Sequence, residues 1–366
     1  IALNLTVGVC LLLVTAAASG PAPMRQTDNP NPPDSVVKLI FIHHSTGENW
    51  LTNGYGNLGQ TLNANNYFVS DTNYGWGPIS PTLGGPIGDY TDIPHWLEWV
   101  RSADTPTYMY DLYRENGKHS NYTRTLANPG GQNEIIMFKS CFPNSALEGS
   151  PTDPPNPTPG FTVGHAKYVY NELLKYFVTR PDKLFVVITA PPLSDGTYAA
   201  NARAFNNWLV YHWLYENNYT NSNVVVFDFY NVLTHPNHHH RFYNGDVQHY
   251  FGNRNTLYYP SGDDHPSELG SQKATSEFVP LLNVYYRRWK AGAVNVAIKS
   301  NGTLDGWVLE SGENSNVGGG MESAATSFRL GDTAQDRQYR AILSFDTSSL
   351  PDTAVIVSAM LKIRRA

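Results

Sequence analysis

Ser45, His265 and the adjoining carboxylates Asp263 and Asp264 are the residues of this chain whose types and positions could perform covalent chemistry. A hydroxyl nucleophile needs a base within hydrogen-bond reach, and the base needs an acid to orient it. Ser45 directly follows the apolar run 36–42, VVKLIFI, and two histidines. That run reads as a strand buried on both faces, as in a parallel sheet. The residues after Ser45 read as helical, with Leu51, Leu58 and Leu62 on one face. A serine at such a junction lies beside unpaired N–H groups and the positive end of a helix dipole, which suits a developing oxyanion. The plainer alternative is a helix N-cap, for which serine is a preferred residue.

His265 stands in Gly-Asp-Asp-His-Pro-Ser, just ahead of a long helical pattern. With Ser45 it completes the three parts of a triad, in the chain order Ser, Asp, His. Asp263 is favoured over Asp264 as the orienting acid, because residues two apart in an extended segment share a side. Cys141, alone at the end of a strand, reads as a buried small hydrophobe rather than a nucleophile. His235, His238, His239, His240 and His249 crowd one stretch, THPNHHHRFYNGDVQHY. Imidazoles suit zinc, but consecutive histidines do not converge easily on one ion. The stretch is read as a substrate-facing loop, with His239 as a lining residue, and no metal or cofactor is assigned. Of His43 and His44, the latter is placed as a site-lining residue, as is Asp264. Asp89 and Asp92 anchor a substrate or serve turns.

Further buried strands are expected at 67–71, 134–139, 184–189 and 224–228. Helical patterns cover 94–101, 108–114, 164–179, 198–217 and 267–288, the last with Pro280 as an expected kink or break. Strands alternating with helices predict an α/β fold, a doubly wound parallel five-stranded sheet covered on both faces. In such folds the site lies past the carboxyl ends of the strands. Ser45, residues 140–145 and residues 191–195 all fall there. After about residue 292 the pattern changes to short alternating runs separated by Gly, Asp and Asn, which read as an all-β module. That C-terminal module, 294–366, is expected to be truncated.

The chain has 366 residues, 41% hydrophobic, with a net charge of −6 and no basic block. It is long enough for one large domain and part of a second. The lack of a positive footprint argues against nucleic-acid binding. Residues 3–18 are apolar and end in small residues, as a secretory signal peptide of about 1–20 would. A Pro-rich linker, 21–35, follows. Cleavage would leave Cys141 as the single cysteine, with no internal disulfide and no membrane association.

These blocks resemble the SGNH (GDSL-type) ester hydrolases over about residues 36–290. His43-His44-Ser45-Thr46-Gly47 stands where that family has its nucleophile block, without the family's Gly-Asp. Gly75 or Gly77, in Asn-Tyr-Gly-Trp-Gly, stands for the oxyanion-hole glycine. Asn144, in Ser-Cys-Phe-Pro-Asn-Ser, stands for the oxyanion-hole asparagine; as a plain reading it is a turn residue after Pro143. Asp263-Asp264-His265-Pro266 stands for the family's Asp-x-x-His-Pro, with Gly262 where the family's aspartate would be. The resemblance implies a flavodoxin-like sheet of the SGNH hydrolase type. It also implies a Ser45, His265, Asp263 triad, with an oxyanion hole of Ser45 N–H, Gly75 or Gly77, and Asn144. Residues 327–331, 339–346 and 361–363 resemble the opening of DNRLRE-type β-sandwich modules. The expectation is a secreted serine ester hydrolase acting on acylated polysaccharide or another extracellular ester. Its rival is a non-catalytic extracellular carbohydrate- or surface-binding protein on the same scaffold.

Overall fold

The computed structural model describes residues 3–6, 8–17, 28–292, 294–315, 317–323, 327–350 and 354–364. Residues 18–27, which hold the expected cleavage site and the start of the Pro-rich linker, lie outside the described residues. The chain forms two units, residues 27–291 and residues 1–26 together with 292–366.

The first unit is built on five strands: β1 (Val37–Ile42), β2 (Tyr67–Thr72), β3 (Ile135–Lys139), β4 (Leu184–Ile188) and β5 (Val224–Phe227). They form one all-parallel sheet in the order β2-β1-β3-β4-β5. This is the flavodoxin-like order, in which chain direction across the sheet reverses between β1 and β3. Alternate residues of each strand enter opposite cores. Leu39, Phe41, Ile135, Met137, Leu184 and Val186 enter one; Ile40, Ile42, Ile136, Phe138, Phe185 and Val187 enter the other. Two buried faces explain why these strands read as mostly apolar runs, broken by Lys38 in β1, by Ser70-Asp71-Thr72 in β2 and by Lys139 in β3.

Helices α1 (Thr46–Leu51) and α2 (Leu58–Ala64) cover the first face with α8 (Phe229–Thr234) and α9 (Glu268–Lys290). The second face is covered by α3 (Trp96–Arg101), α4 (Thr105–Arg114), α5 (Val163–Phe177) and α6 (Ala199–Tyr211), the last followed by the short α7 (Trp213–Glu216). Three local expectations are corrected. The helix after Ser45 is two helices, because Gly54 and Asn57 take positive φ between them. The helix expected over 198–217 is interrupted at His212. Pro280 does not end α9, which runs through it with Phe278, Leu281 and Leu282 buried. The His-rich stretch, read as a loop, is a hairpin of β6 (His239–Tyr243) and β7 (Asp246–Tyr250). Asn244 and Gly245 turn it, both at positive φ, as a two-residue hairpin loop requires.

The second unit is antiparallel. Gly306–Glu310, Gly318–Ser323, Ser327–Asp332 and Gln338–Ile342 pair in one sheet with Leu3–Thr6 at its edge. Gly8–Ala17, the apolar run read as a leader, pairs between Val294–Lys299 and Val355–Arg364.

Candidate active site

Ser45 leaves β1 after the buried His43, whose Nε2 lies 3.3 Å from Asp71 Oδ2. Its backbone sits at φ 42° and ψ −99°, a region that costs an L-residue about 1–3 kcal/mol. It immediately precedes α1, yet its side chain makes no capping bond. The surroundings fix this turn. A Cβ on Gly47 would stand 2.4 Å from His43 Cβ, so helix and strand end meet without a spacer. Thr46 is buried and accepts a hydrogen bond from the ammonium of Lys139, at the end of β3. Cys141 Sγ lies 3.5 Å from the same hydroxyl.

The Ser45 hydroxyl donates to His265 Nε2, across 220 residues of chain. His265 Nδ1–H donates to Asp263 Oδ2 at 3.0 Å, and the His265 backbone N–H donates to Asp263 Oδ1 at 2.8 Å. One carboxylate therefore holds both the ring and the main chain of the base. These two bonds, the backbone one first, hold the Asp263 carboxyl below the usual carboxylate range. Asp264 turns away and accepts from Ser194 N–H at 2.7 Å, tying the loop after β4 to the His265 loop. The imidazole edge meets the Phe142 ring, centroids 4.9 Å apart.

The segment that delivers His265 is fastened from below by Arg203 of α6. This buried guanidinium donates to Asn255 Oδ1 at 2.9 Å and to the Arg254 carbonyl at 3.1 Å. It also donates to Asn231 and Thr234 of α8. Tyr55 closes the other side, donating to the Pro266 carbonyl at 2.7 Å.

The expected oxyanion donors divide into two groups. Ser45 N–H and Gly77 N–H make no hydrogen bond among the described residues. Gly75 N–H is already committed to Asp89 Oδ1 at 2.9 Å. Asn144 is buried on the short turn Phe142–Ser145, past β3. Its carbonyl accepts from Ile93 N–H at 2.7 Å, and its amide donates to Asp92 Oδ1 at 2.6 Å and to the Cys141 carbonyl at 3.3 Å. Asp89 and Asp92 thus bind these expected donors.

His44 lies beside the site: Thr91 Oγ1 is 2.6 Å from its Nδ1, and the Tyr74 ring packs at 5.0 Å. His239 does not join this group; it faces Glu277 of α9 at 2.8 Å. The other histidines of the hairpin form a separate buried network. His249 Nε2 meets Asp228 Oδ2 at 2.8 Å, and Asp228 N–H donates to His240 Nδ1 at 2.8 Å. Burial pushes His240 down to about 3, so it stays neutral.

Sequence reasoning missed Tyr74 and Lys139. Tyr74 directly precedes Gly75, the first of the two glycines considered for the oxyanion hole, and its ring packs beside the site against His44. Lys139 interrupts the apolar β3 run at its last position, the one visible signal of a buried charge. Burial alone would push the Cys141 thiol up; Lys139, His44 and Thr46 outweigh it and hold the thiol at about 5.

The chain Ser45, His265, Asp263 can pass a proton from hydroxyl to imidazole while the acid fixes the tautomer. No family model matches the chain. No curated protein sequence matches it either. A similar solved structure is a carbohydrate esterase whose active site is described as displaying "divergent catalytic and non-catalytic binding functions". It shares 10% identity over 78% of this chain and 87% of that one, with a TM-score of 0.31. Similarity at that level carries no argument about this chain.

Proposed function

We propose that this protein is a secreted serine ester hydrolase. Ser45 Oγ attacks the acyl carbon, and its proton passes to His265 Nε2. Asp263 holds the imidazole in the tautomer with Nδ1 protonated and steadies the imidazolium. The proton then moves to the leaving alkoxide as the ester C–O bond breaks. Water, deprotonated by the same imidazole, releases the acid from Ser45. Ser45 N–H and Gly77 N–H are the unengaged backbone donors for the oxyanion; Gly75 and Asn144 would serve after releasing Asp89 and Asp92.

The observation that carries this proposal is the Ser45–His265 hydrogen bond, made by a serine whose backbone is held at positive φ and whose side chain caps nothing. A cap would relax that strain; a nucleophile uses it to aim its oxygen. The substrate class is an acylated polysaccharide or another extracellular ester. Tyr74 and Trp76 support it, 53% and 52% exposed beside the site loop, with Trp76 stacked on His119 at 4.0 Å. Flat aromatic faces suit the apolar faces of sugar rings.

Ser45→Ala and His265→Ala are each expected to abolish hydrolysis of p-nitrophenyl acetate, a loss on the order of 10⁴–10⁶ in kcat, with unchanged circular dichroism. Wild-type rates in either variant would remove the mechanism. The engaged state of Gly75 and Asn144 favours one rival, a binding protein on the same scaffold. It would retain glycan affinity with no turnover in any ester screen.

A further inference from the structure

A sugar ring held beside Ser45 needs a flat apolar face fixed relative to the nucleophile, with polar groups at its rim for the hydroxyls. The turn after β2 supplies such a face. Trp76 is half-exposed, and one face of its indole is stacked on the His119 imidazole, centroids 4.0 Å apart and planes 20° apart. With that face covered, the exposure falls on the opposite face and the edge of the ring.

The turn is held on two sides. Gly75 N–H donates to Asp89 Oδ1 at 2.9 Å, Trp76 N–H to the Asn73 carbonyl at 2.9 Å, and Gly88 N–H to the Trp76 carbonyl at 3.1 Å. A Cβ on Gly88 would stand 1.8 Å from the Asn73 carbonyl oxygen, so the two backbone segments are in direct contact. Beneath them is the buried Asp71, near the end of β2. Its Oδ1 accepts from the His119 backbone N–H at 2.8 Å. Its Oδ2 accepts from the Ser120 hydroxyl at 2.6 Å and lies 3.3 Å from His43 Nε2. One carboxylate therefore fixes both the strand end that presents Ser45 and the segment that backs Trp76. A second link runs through Tyr74, whose ring packs at 5.0 Å on His44, the neighbour of Ser45.

We propose that Trp76, backed by His119, is a subsite that stacks an uncharged pyranose ring of a polysaccharide, with Asp89 accepting from its hydroxyls. The proposal rests on the ester-hydrolase function above for the placement of the ester, and it narrows the substrate to neutral polymers. A pyranose with equatorial substituents presents a face of axial C–H groups, the apolar surface that an indole covers. Asp89 Oδ1 takes Gly75 N–H, and its Oδ2 makes no hydrogen bond among the described residues, so it is open to a hydroxyl donor. A carboxylate at that rim repels the carboxylates of uronic-acid polymers and leaves neutral sugars unaffected.

Ser45→Ala removes turnover and leaves the turn after β2 in place, so binding can be read by itself. Isothermal titration of Ser45→Ala with acetylated glucomannan is expected to show saturable binding. Adding Trp76→Ala should weaken it about tenfold, and adding Trp76→Phe far less. Polygalacturonate should not bind. With Ser45 intact, Trp76→Ala should raise KM on acetylated glucomannan by a matching factor with kcat within about twofold, the split that lost uniform binding produces. A tryptophan that only supports the fold would not give that split. Undiminished affinity and KM in Trp76→Ala, absence of glucomannan binding, or equal binding of polygalacturonate overturns the subsite. Glucomannan binding that depends on Trp76, with no ester hydrolysed by the wild type, overturns the hydrolase function and leaves the subsite standing.

Discussion

Lys139 donates its ammonium to the hydroxyl of Thr46, the residue that follows Ser45. Burial pushes the Lys139 ammonium down to about 8, and Cys141 is the charged partner that favours its protonated form. An unpaired buried charge is costly, so the ammonium and the sulfur depend on each other. The pair ties the end of β3 to the nucleophile turn.

That coupling gives a pH dependence. The Cys141 thiol is held at about 5 in the folded chain, below its ordinary value of 9.0. Burial opposes the thiolate; Lys139 leads the groups that favour it. An acid depressed in the folded state adds stability that is fully present above the unfolded value and lost as pH falls through the folded one. The Tm advantage of the wild type over Cys141→Ala should therefore widen from pH 5 to pH 9. Thiolate absorbance near 240 nm at pH 7 should vanish in that variant. A pH-independent Tm difference would show that the sulfur stays protonated.

The two aspartates should separate cleanly. Asp263→Asn loses the acceptor for His265 Nδ1–H and is expected to lower kcat by about 10²–10⁴. Asp264→Asn disturbs only the bond to Ser194 N–H and should cost far less. Steady-state kinetics decide; equal losses would reassign the orienting acid.

Arg203 never approaches Ser45 in the hydrogen-bond network, yet it holds the segment that carries His265. Arg203→Met should destabilise the fold by about 3 kcal/mol, through several charge-assisted bonds left unmade. Amide exchange should quicken over residues 251–267 before the rest of the sheet opens. Uniform exchange would show that the segment is anchored elsewhere.

Asn144 can be tested apart from catalysis. Asn144→Ala leaves Ile93 N–H and Asp92 without their buried partner. A loss of about 1–3 kcal/mol in urea unfolding is expected. An unchanged midpoint would mean that those groups find water or new partners.

The sheet was legible because each strand is buried on both faces, so its run is short and mostly apolar. α9 was legible from its stripe of Ala274, Phe278, Leu281 and Leu282, but its survival through Pro280 depends on packing against the sheet. The β6–β7 hairpin was legible in principle: Asn244-Gly245 is a strong turn signal, but the crowded histidines break the alternation expected of its strands. At the site, residue types and their place past strand ends can be read. The bonds that commit Asn144 to Asp92 and Gly75 to Asp89 cannot, because they join segments 52 and 14 residues apart.

Because Asp263 grips both the ring and the main chain of His265, acid and base are assembled within three consecutive residues. The pair behaves as a cartridge: folding has a single alignment to make, the meeting of that cartridge with Ser45. Variation in the length or path of the surrounding loop can then be absorbed without rebuilding the proton relay, provided the cartridge still lands against the same hydroxyl.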